Sequence, residues 1–450
     1  MELKKSKVLV VGMARSGVAA ATMLAREAAI VTICDIKQAD ALQEPINNLS
    51  RADIEIVTGG YPPVEGNFDL VIASPGVPAD VQPFIQAANV GIPVWSELEL
   101  AALFIQGPIV AVTGTNGKTT TTALIGEMFI QAGVPTVVGG NIGTPLVGEV
   151  QKTTDKHVTV AEVSSFQLEW VEKFHPRVAV ILNITPDHLD RHGTMENYIA
   201  TKARIFKAQN LADYTVLNYD DPKVRKLAAE ASGQVIFFSS KHTLKTGVSV
   251  DNGFITIKQE EDLQVISVEE VGIKGAHNID NALAAVAAGW ALGLTAAQLK
   301  ETLAAFPGVE HRLEFVREIN QVRYINDSKG TNPDASIKAL EAFPNPIILI
   351  AGGKNKGSDF SEFAQLIKAR AKDVILLGEA ADEIQHALSN IGFTRVHQVS
   401  DYQRAVPLAE ELAEPGDIVL LSPACASWDM FGSYEERGKL FKELVNSLRG

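Results

Sequence analysis

Residues 114 to 120, Gly-Thr-Asn-Gly-Lys-Thr-Thr, combine the groups that phosphate chemistry needs. Gly114 and Gly117 let backbone N–H groups close around anionic oxygens, and Lys118 is long enough to reach the outer phosphates of a nucleotide. The hydroxyl of Thr119 or Thr120 is a hard oxygen donor suited to Mg²⁺. Thr115 and Asn116 complete the loop. The elements that must position these groups are legible on both sides. Ile109 to Val112 is an apolar run of strand type, and Leu124, Ile125, Met128, Phe129 and Ala132 recur at helical spacing up to Gly133, where a helix should stop. A helix starting at the loop adds the positive end of its dipole. The spacing departs from the usual phosphate loop, with two residues instead of four between the glycines. A glycine-rich turn with a surface lysine is the plainer alternative, and the flanking strand and helix weigh against it.

Other candidates follow in the next strands. Val158 to Gln167 reads as a strand carrying Glu162 near its end, and Val178 to Asn183 as another, followed by Asp187-His188 and Asp190-Arg-His192. Strands alternating with helices imply a parallel α/β sheet, in which ligands bind beyond the carboxyl ends of the strands. Glu162, Asp187 and His188 are therefore expected to project towards the phosphate loop. Glu162 suits Mg²⁺, its alternative being a pair with a buried cation. Lys202 lies in a helical segment from Glu196 to Phe206 and, on its own, reads as a solvated side chain. The glycine-dense stretch Val137 to Pro145 is expected to be a loop, and Gly275 to Leu292 a long Ala-rich helix ended by Gly293. His277, Asn278 and Asn281 at its start fit either capping and packing or contacts to a nucleotide base.

Length and composition narrow the classes. The 450 residues suffice for about three domains, 46% hydrophobic residues can fill several cores, and 21% charged residues without a biased tract argue against disorder. A formal net charge of −14 argues against general attraction to nucleic acid. Two cysteines, Cys34 and Cys425, lack metal-type spacing and suit a reducing compartment. No apolar run is long enough to span a membrane or to act as a signal peptide, so a cytoplasmic protein is expected.

The chain opens with a βαβ unit, Lys7 to Gly12, Gly17 to Leu24 and Val31 to Asp35. Its turn, Gly12-Met-Ala-Arg-Ser-Gly17, lacks the middle glycine of a dinucleotide fingerprint, although Asp35 stands near the place of a ribose-binding acid. Another phosphate ligand fits that turn better than a nicotinamide. Residues 213 to 272 alternate short β-like runs with polar turns, and residues 306 to 315 read as a junction. A third βαβ series places polar clusters after three strands: Asp327 to Pro333, Gly352 to Gly357 and Ser422 to Ser427. Three such clusters at adjacent strand ends imply a ligand-facing rim.

Together, Thr113 to Thr120, Glu162-Val-Ser-Ser, Asn183 to Arg191, His277 to Asn281, His311-Arg312 and Asn326 to Pro333 resemble the Mur ligases, ATP-dependent amide-forming enzymes of peptidoglycan synthesis. The resemblance covers essentially the whole chain. Ser422 to Phe431 with Glu436-Arg-Gly is most similar to the branch that adds D-glutamate. The resemblance implies an α/β protein of three domains. Residues 1–97 would form a Rossmann-like domain for the UDP-sugar, and 98–308 a P-loop domain for ATP. Residues 309–450 would form a Rossmann-like domain that closes over the site and binds D-glutamate.

It further implies that Arg15, Ser16, Asp35, Lys37, Ser74, Gly76, Asn141, Ser164 and Gln167 surround the UDP-sugar. Asn278, Asn281, Arg312 and Asp327 would join the loop at ATP. Glu162, His188 and Thr119 would hold Mg²⁺, and Lys202 matches a carbamylated lysine that would bind a second ion. Lys118, Glu162, His188 and Lys202 would carry the chemistry. Lys329, Thr331, Lys356, Ser427 and Tyr434 would lie near D-glutamate. Lys354 and Tyr434 depart from the pattern, since some relatives have an acid and Phe there. The expected partners are UDP-N-acetylmuramoyl-L-alanine and D-glutamate, with no nucleic acid or membrane, and a monomer is expected. Another amino-acid-adding Mur ligase and a folylpolyglutamate-type ligase are the nearest alternatives. A non-enzymatic nucleotide switch would leave the acids unexplained, and a dehydrogenase would explain only the opening βαβ unit.

Overall fold

The computed structural model describes residues 3–49, 53–141, 143–273 and 275–448. These form two compact units, one from residues 1–271 with 279–306 and the other from 272–278 with 307–450. The first unit holds two sheets.

Its first sheet is parallel and five-stranded, in the order Ile54–Thr58, Ile30–Asp35, Lys7–Val11, Leu70–Ala73, Val94–Ser96. Strand order reverses between Lys7–Val11 and Leu70–Ala73, which places a crevice at Gly12 and Ser74. The second sheet has nine strands, with Ile109–Thr113 between Val178–Ile181 and Val158–Glu162. All five residues of Ile109–Thr113 are buried, the pattern of a central strand covered on both faces. A continuous core joins the two sheets, running from Val8, Val10 and Leu24 through Leu98 and Leu100 to Ala111, Ala161 and Ala179.

Two buried acids on the helix Glu97–Ala102 reinforce that junction. Glu99 accepts from the backbone N–H groups of Glu172, Lys173 and Phe174 at 3.0, 2.7 and 2.9 Å. Glu97 accepts from Gln167 Nε2 at 2.7 Å and from Val147 N at 3.3 Å, and burial raises its carboxyl above the usual range. A buried carboxylate persists only where such donors meet it.

The second unit is built on six strands in the order Glu314–Ile319, Val322–Asn326, Ile418–Leu421, Ile347–Gly352, Ala371–Leu377, Val396–Gln398. Only the first pair is antiparallel. Ile347–Gly352 is buried at every position, and each buried Ile or Leu contributes about 1.5–3 kcal/mol of transfer free energy.

Several elements differ from the expectations. Thr136–Gly140 is an edge strand rather than part of a loop. Gly140 is demanded by pairing, because a Cβ there, at φ +106°, would strike the carbonyl of Glu162 on the adjacent strand. Glu314–Ile319 turns part of the expected junction into an edge strand. Ile54–Thr58, Gly247–Asp251 and Val396–Gln398 are further strands whose polar or half-exposed residues mask their character. No helix among the described residues is long and apolar enough to cross a membrane.

Candidate active site

The helix Lys118–Gln131 begins at Gly117, which is left-handed at φ +86°. No side chain fits there, since a Cβ would collide with Asn281 Oδ1. Asn281 also accepts from Thr121 Oγ1 at 3.2 Å, so it braces the first turn of this helix. Asn183, beyond the neighbouring strand, grips the loop reciprocally: its Oδ1 accepts from Asn116 N at 2.8 Å and its Nδ2 donates to Asn116 O at 3.1 Å. Thr115 N donates to Asn183 O at 2.9 Å, and Thr115 Oγ1 donates to Thr185 O at 3.1 Å. These bonds hold the backbone of the loop in place.

Two lysines converge on this cradle. Lys118 Nζ donates to Gly114 O at 3.0 Å and to Thr115 O at 2.7 Å. Lys202 Nζ donates to the same Gly114 oxygen at 2.9 Å. Lys202 is 1% exposed, with its ammonium 4.7 Å from the centre of the Tyr198 ring. Burial, and then the charge of Lys118, push its pKa well below the usual lysine value, against the smaller opposing pull of Asp187. The structure thus removes Lys202 from solvent and favours a neutral amine.

Glu162 ends the strand beside the loop and is buried. Its Oε1 accepts from Asn141 Nδ2 at 2.8 Å, and its Oε2 has no hydrogen-bond partner. The buried hydroxyl of Thr120 is likewise unpartnered, while Thr119 is buried at the same helix start. Unsatisfied hard oxygens next to a phosphate cradle fit a divalent cation of the Mg²⁺ type. His188 has left-handed backbone (φ +53°), held by its own N–H bond to Asp187 Oδ1 at 3.0 Å. Its Nε2 lies 3.5 Å from Asp187 Oδ2.

In the first sheet, Asp35 ties two strand ends together, accepting from Met13 N at 2.9 Å and Lys37 N at 3.0 Å. Ser74 is buried and donates to Gly12 O at 3.1 Å. The side chains left towards solvent are Arg15 and Lys37, with Ser16 half-buried and Gly76 exposed. Arg15 Nη1 reaches Gly143 O at 3.5 Å. Ser164 and Gln167 form a capping box, and Gln167 is 1% exposed. These two brace the turn after Glu162, a structural task that the sequence reading did not include.

In the second unit the three polar clusters do sit at adjacent strand ends, since Ile418–Leu421 lies between Val322–Asn326 and Ile347–Gly352. They are cross-tied: Ser422 Oγ donates to Asp327 Oδ2 at 2.7 Å, and Lys354 and Ala426 exchange backbone bonds at 2.9 and 3.0 Å. Arg312 is half-buried, and its charge acts on both Asp327 and the half-buried His277, whose pKa falls to about 4 mainly through desolvation. Asn278 is buried beside His277, with its N–H on Gly275 O at 2.9 Å. Lys329 Nζ lies 5.3 Å from the ring centre of half-buried Tyr434. Thr331 N donates to Lys329 O at 2.9 Å, Ser427 is buried, and Lys356 is exposed. Lys354 Nζ lies 3.8 Å from Glu379.

Sequence reading assigned no role to Asn183, Tyr198 or Arg437. Arg437 is fully buried and donates to Ser328 Oγ, Ser328 O and Cys425 O at 2.9, 2.7 and 3.2 Å, fastening two of the three clusters. A charged residue on the buried stripe of the helix Tyr434–Ser447 was the available signal.

Burial raises the Asp327 carboxyl to about 6, against the Ser422 hydrogen bond and the Arg312 charge. The folded protein therefore binds this proton more tightly than the unfolded chain. Asp327 costs stability progressively as pH rises from 3.8 to about 6, and the cost is constant above that. In Asp327→Asn the loss of Tm between about pH 4 and about pH 7 should be smaller than in the wild type, by the equivalent of up to about 3 kcal/mol. Parallel Tm-versus-pH curves would contradict this.

Residues 6–96 match the MurD-like N-terminal domain of Mur ligases, 112–289 the Mur ligase middle domain, and 311–425 the Mur ligase glutamate ligase domain. The UDP-N-acetylmuramoylalanine–D-glutamate ligase of Pelotomaculum thermopropionicum is 54% identical over 450 residues, covering 100% of this chain and 99% of that protein. The chain belongs to the Mur ligase family. Ligases of the same name from Alkaliphilus metalliredigens and Clostridioides difficile are 49% and 44% identical, each over 100% of both chains. Two solved Mur ligases share the fold. MurC, the UDP-N-acetylmuramate-alanine ligase of Thermotoga maritima, superposes with a TM-score of 0.61 at 21% identity, covering 98% of this chain and 99% of its own. MurF of the same organism, solved in complex with ADP, superposes with a TM-score of 0.61 at 17% identity over 99% of each chain.

Proposed function

We propose that this Mur ligase is the ATP-dependent, ADP-forming enzyme that joins D-glutamate to UDP-N-acetylmuramoyl-L-alanine. One observation carries the chemical part: Lys118 and Lys202 meet at one loop carbonyl beside Glu162, whose buried Oε2 lacks a partner. Full-length identity of 54% to a ligase of that name supports the choice of amino acid.

In this reading residues 1–97 bind the sugar nucleotide, 98–308 bind ATP and 309–450 bind D-glutamate. The L-alanyl carboxylate attacks the γ-phosphorus and ADP leaves. The D-glutamate amine attacks the acyl phosphate, and the tetrahedral intermediate expels phosphate to leave an amide. Lys118 and the N–H groups of the cradle are preorganised to meet charge on the transferring group. Glu162, His188 and the hydroxyl of Thr119 or Thr120 would hold Mg²⁺, which when bound neutralises charge on the β- and γ-phosphates. Lys202, as a neutral amine, can add to CO2 and lose a proton, giving an anionic carbamate as a further oxygen ligand. Arg15, Ser16, Asp35, Lys37, Ser74, Gly76 and Asn141 are assigned to the sugar nucleotide, with Ser164 and Gln167 supporting them. Asn278, Asn281, Arg312 and Asp327 are assigned to the nucleotide. Lys329, Thr331, Lys356, Ser427 and Tyr434 are assigned to D-glutamate.

The test is phosphate release with ATP, UDP-N-acetylmuramoyl-L-alanine and each of L-alanine, D-glutamate, L-lysine and diaminopimelate. Only D-glutamate should support turnover. Preference for another amino acid would reassign the branch.

Lys356 makes a narrower case. Its loop is stapled by Gly352 N to Pro423 O at 2.9 Å and by Asn355 Nδ2 to Glu383 Oε2 at 2.6 Å, leaving the Lys356 side chain exposed. Lys356→Ala should raise KM for D-glutamate about 10–100-fold, the worth of one charge-assisted bond, with KM for ATP unchanged. An unchanged KM for D-glutamate would remove Lys356 from that role.

A further inference from the structure

Arg191 stands between two parts of the proposed site without being assigned to either. Its guanidinium grips Glu169 through a fork, with Nε at 2.9 and 3.1 Å from the two carboxylate oxygens and Nη2 at 2.5 Å from Oε2. The side chains are 14% and 13% exposed, so the pair is largely withdrawn from solvent. The remaining arm, Nη1, donates to Pro75 O at 3.4 Å. Pro75 lies between buried Ser74 and exposed Gly76, at the switch point of the first sheet. The same guanidinium lies 4.5 Å from the centre of the Phe166 ring, and that ring lies 4.8 Å from the His188 ring. Arg191 N also donates to His188 O at 3.1 Å, helping to hold the left-handed backbone there.

We propose that Arg191, aimed by Glu169, is a positioning residue that fixes the Ser74–Gly76 loop relative to His188, and so sets where the sugar nucleotide's reactive carboxylate lies. This rests on the assignment of Gly76 to the sugar nucleotide and of His188 to the phosphoryl-transfer site. A planar fork supports such a task, because holding the carboxylate leaves one donor at a fixed angle for the loop carbonyl. A lysine at this position retains the charge but cannot form fork and arm together. Placement errors on the ångström scale are enough to cost one to two orders of magnitude in rate.

Arg191→Lys and Glu169→Gln test the idea in the full-length protein. kcat/KM for UDP-N-acetylmuramoyl-L-alanine should fall about tenfold in Arg191→Lys and less in Glu169→Gln, while ADP affinity by calorimetry and Tm stay at wild-type values. Unchanged kcat/KM in both variants would overturn the proposal. Loss of ADP affinity together with a lower Tm would also overturn it, since Arg191 would then only stabilise the fold. If wild-type ADP formation itself ignores the sugar nucleotide, the underlying assignment fails, and that result is distinct from either outcome.

Discussion

Lys118→Ala should lower ATP turnover by at least about 10²–10³-fold, the range seen when one preorganised charge stabiliser is removed from a transition state. The expectation follows from where the ammonium sits. Its bonds to Gly114 O and Thr115 O hold it within the loop that surrounds the proposed phosphate position. Negative charge on a transferring phosphoryl group would be met there by Lys118 and the cradle N–H groups. The loop itself should survive the substitution, because Asn183 and Thr185 hold its backbone independently of Lys118. The prediction is therefore lost turnover with Tm near the wild-type value, read by ADP release and thermal melting. Near-normal turnover would remove Lys118 from the chemistry.

Lys202→Ala is the second large effect, with activity expected to fall at least about 100-fold and to recover partly with acetate or formate. As an ammonium, Lys202 is poorly placed: it is buried, and it shares one carbonyl with Lys118. Those two features drive its pKa down, so the amine that reacts with CO2 is available at lower pH than for an exposed lysine. A carbamate would turn the repulsion between the two lysines into attraction and supply an anionic oxygen beside Glu162. A small carboxylate can occupy the space left by the truncated side chain and replace that oxygen. Rescue by carboxylates but not by alkylammonium ions would support the carbamate. The reverse pattern would mean that the positive charge on Gly114 O is what matters, and unimpaired activity would mean that neither is needed.

The parts legible in the sequence were those that local chemistry determines. Apolar runs such as Ile109–Thr113 and Ile347–Gly352 are buried on both faces and leave an unambiguous signal. The cradle was readable because glycines and a lysine between a strand and a helix have few other uses. The adjacency of the three polar clusters in the second unit also followed from their shared position after parallel strands. Lys202 was not legible from its own surroundings, since its burial depends on Gly114 and Tyr198 arriving from elsewhere in the chain. Asn183 and Arg437 escaped for the same reason: each works by holding a segment distant in sequence. Short edge strands such as Val396–Gln398 and Ile54–Thr58 were missed because half-exposed strands need little apolar patterning. Only the Val137 to Gly140 part of the expected loop is a strand, and it escaped because Gly140, which reads as a loop former, serves close pairing with the Glu162 strand.

The proposed activity couples phosphorylation of a carboxylate to its capture by an amine, and the most direct measurement is ADP formation with each substrate omitted in turn. Rapid ADP release should require UDP-N-acetylmuramoyl-L-alanine and D-glutamate together, with one amide formed for each ADP. ADP release at the same rate without either substrate would contradict the account.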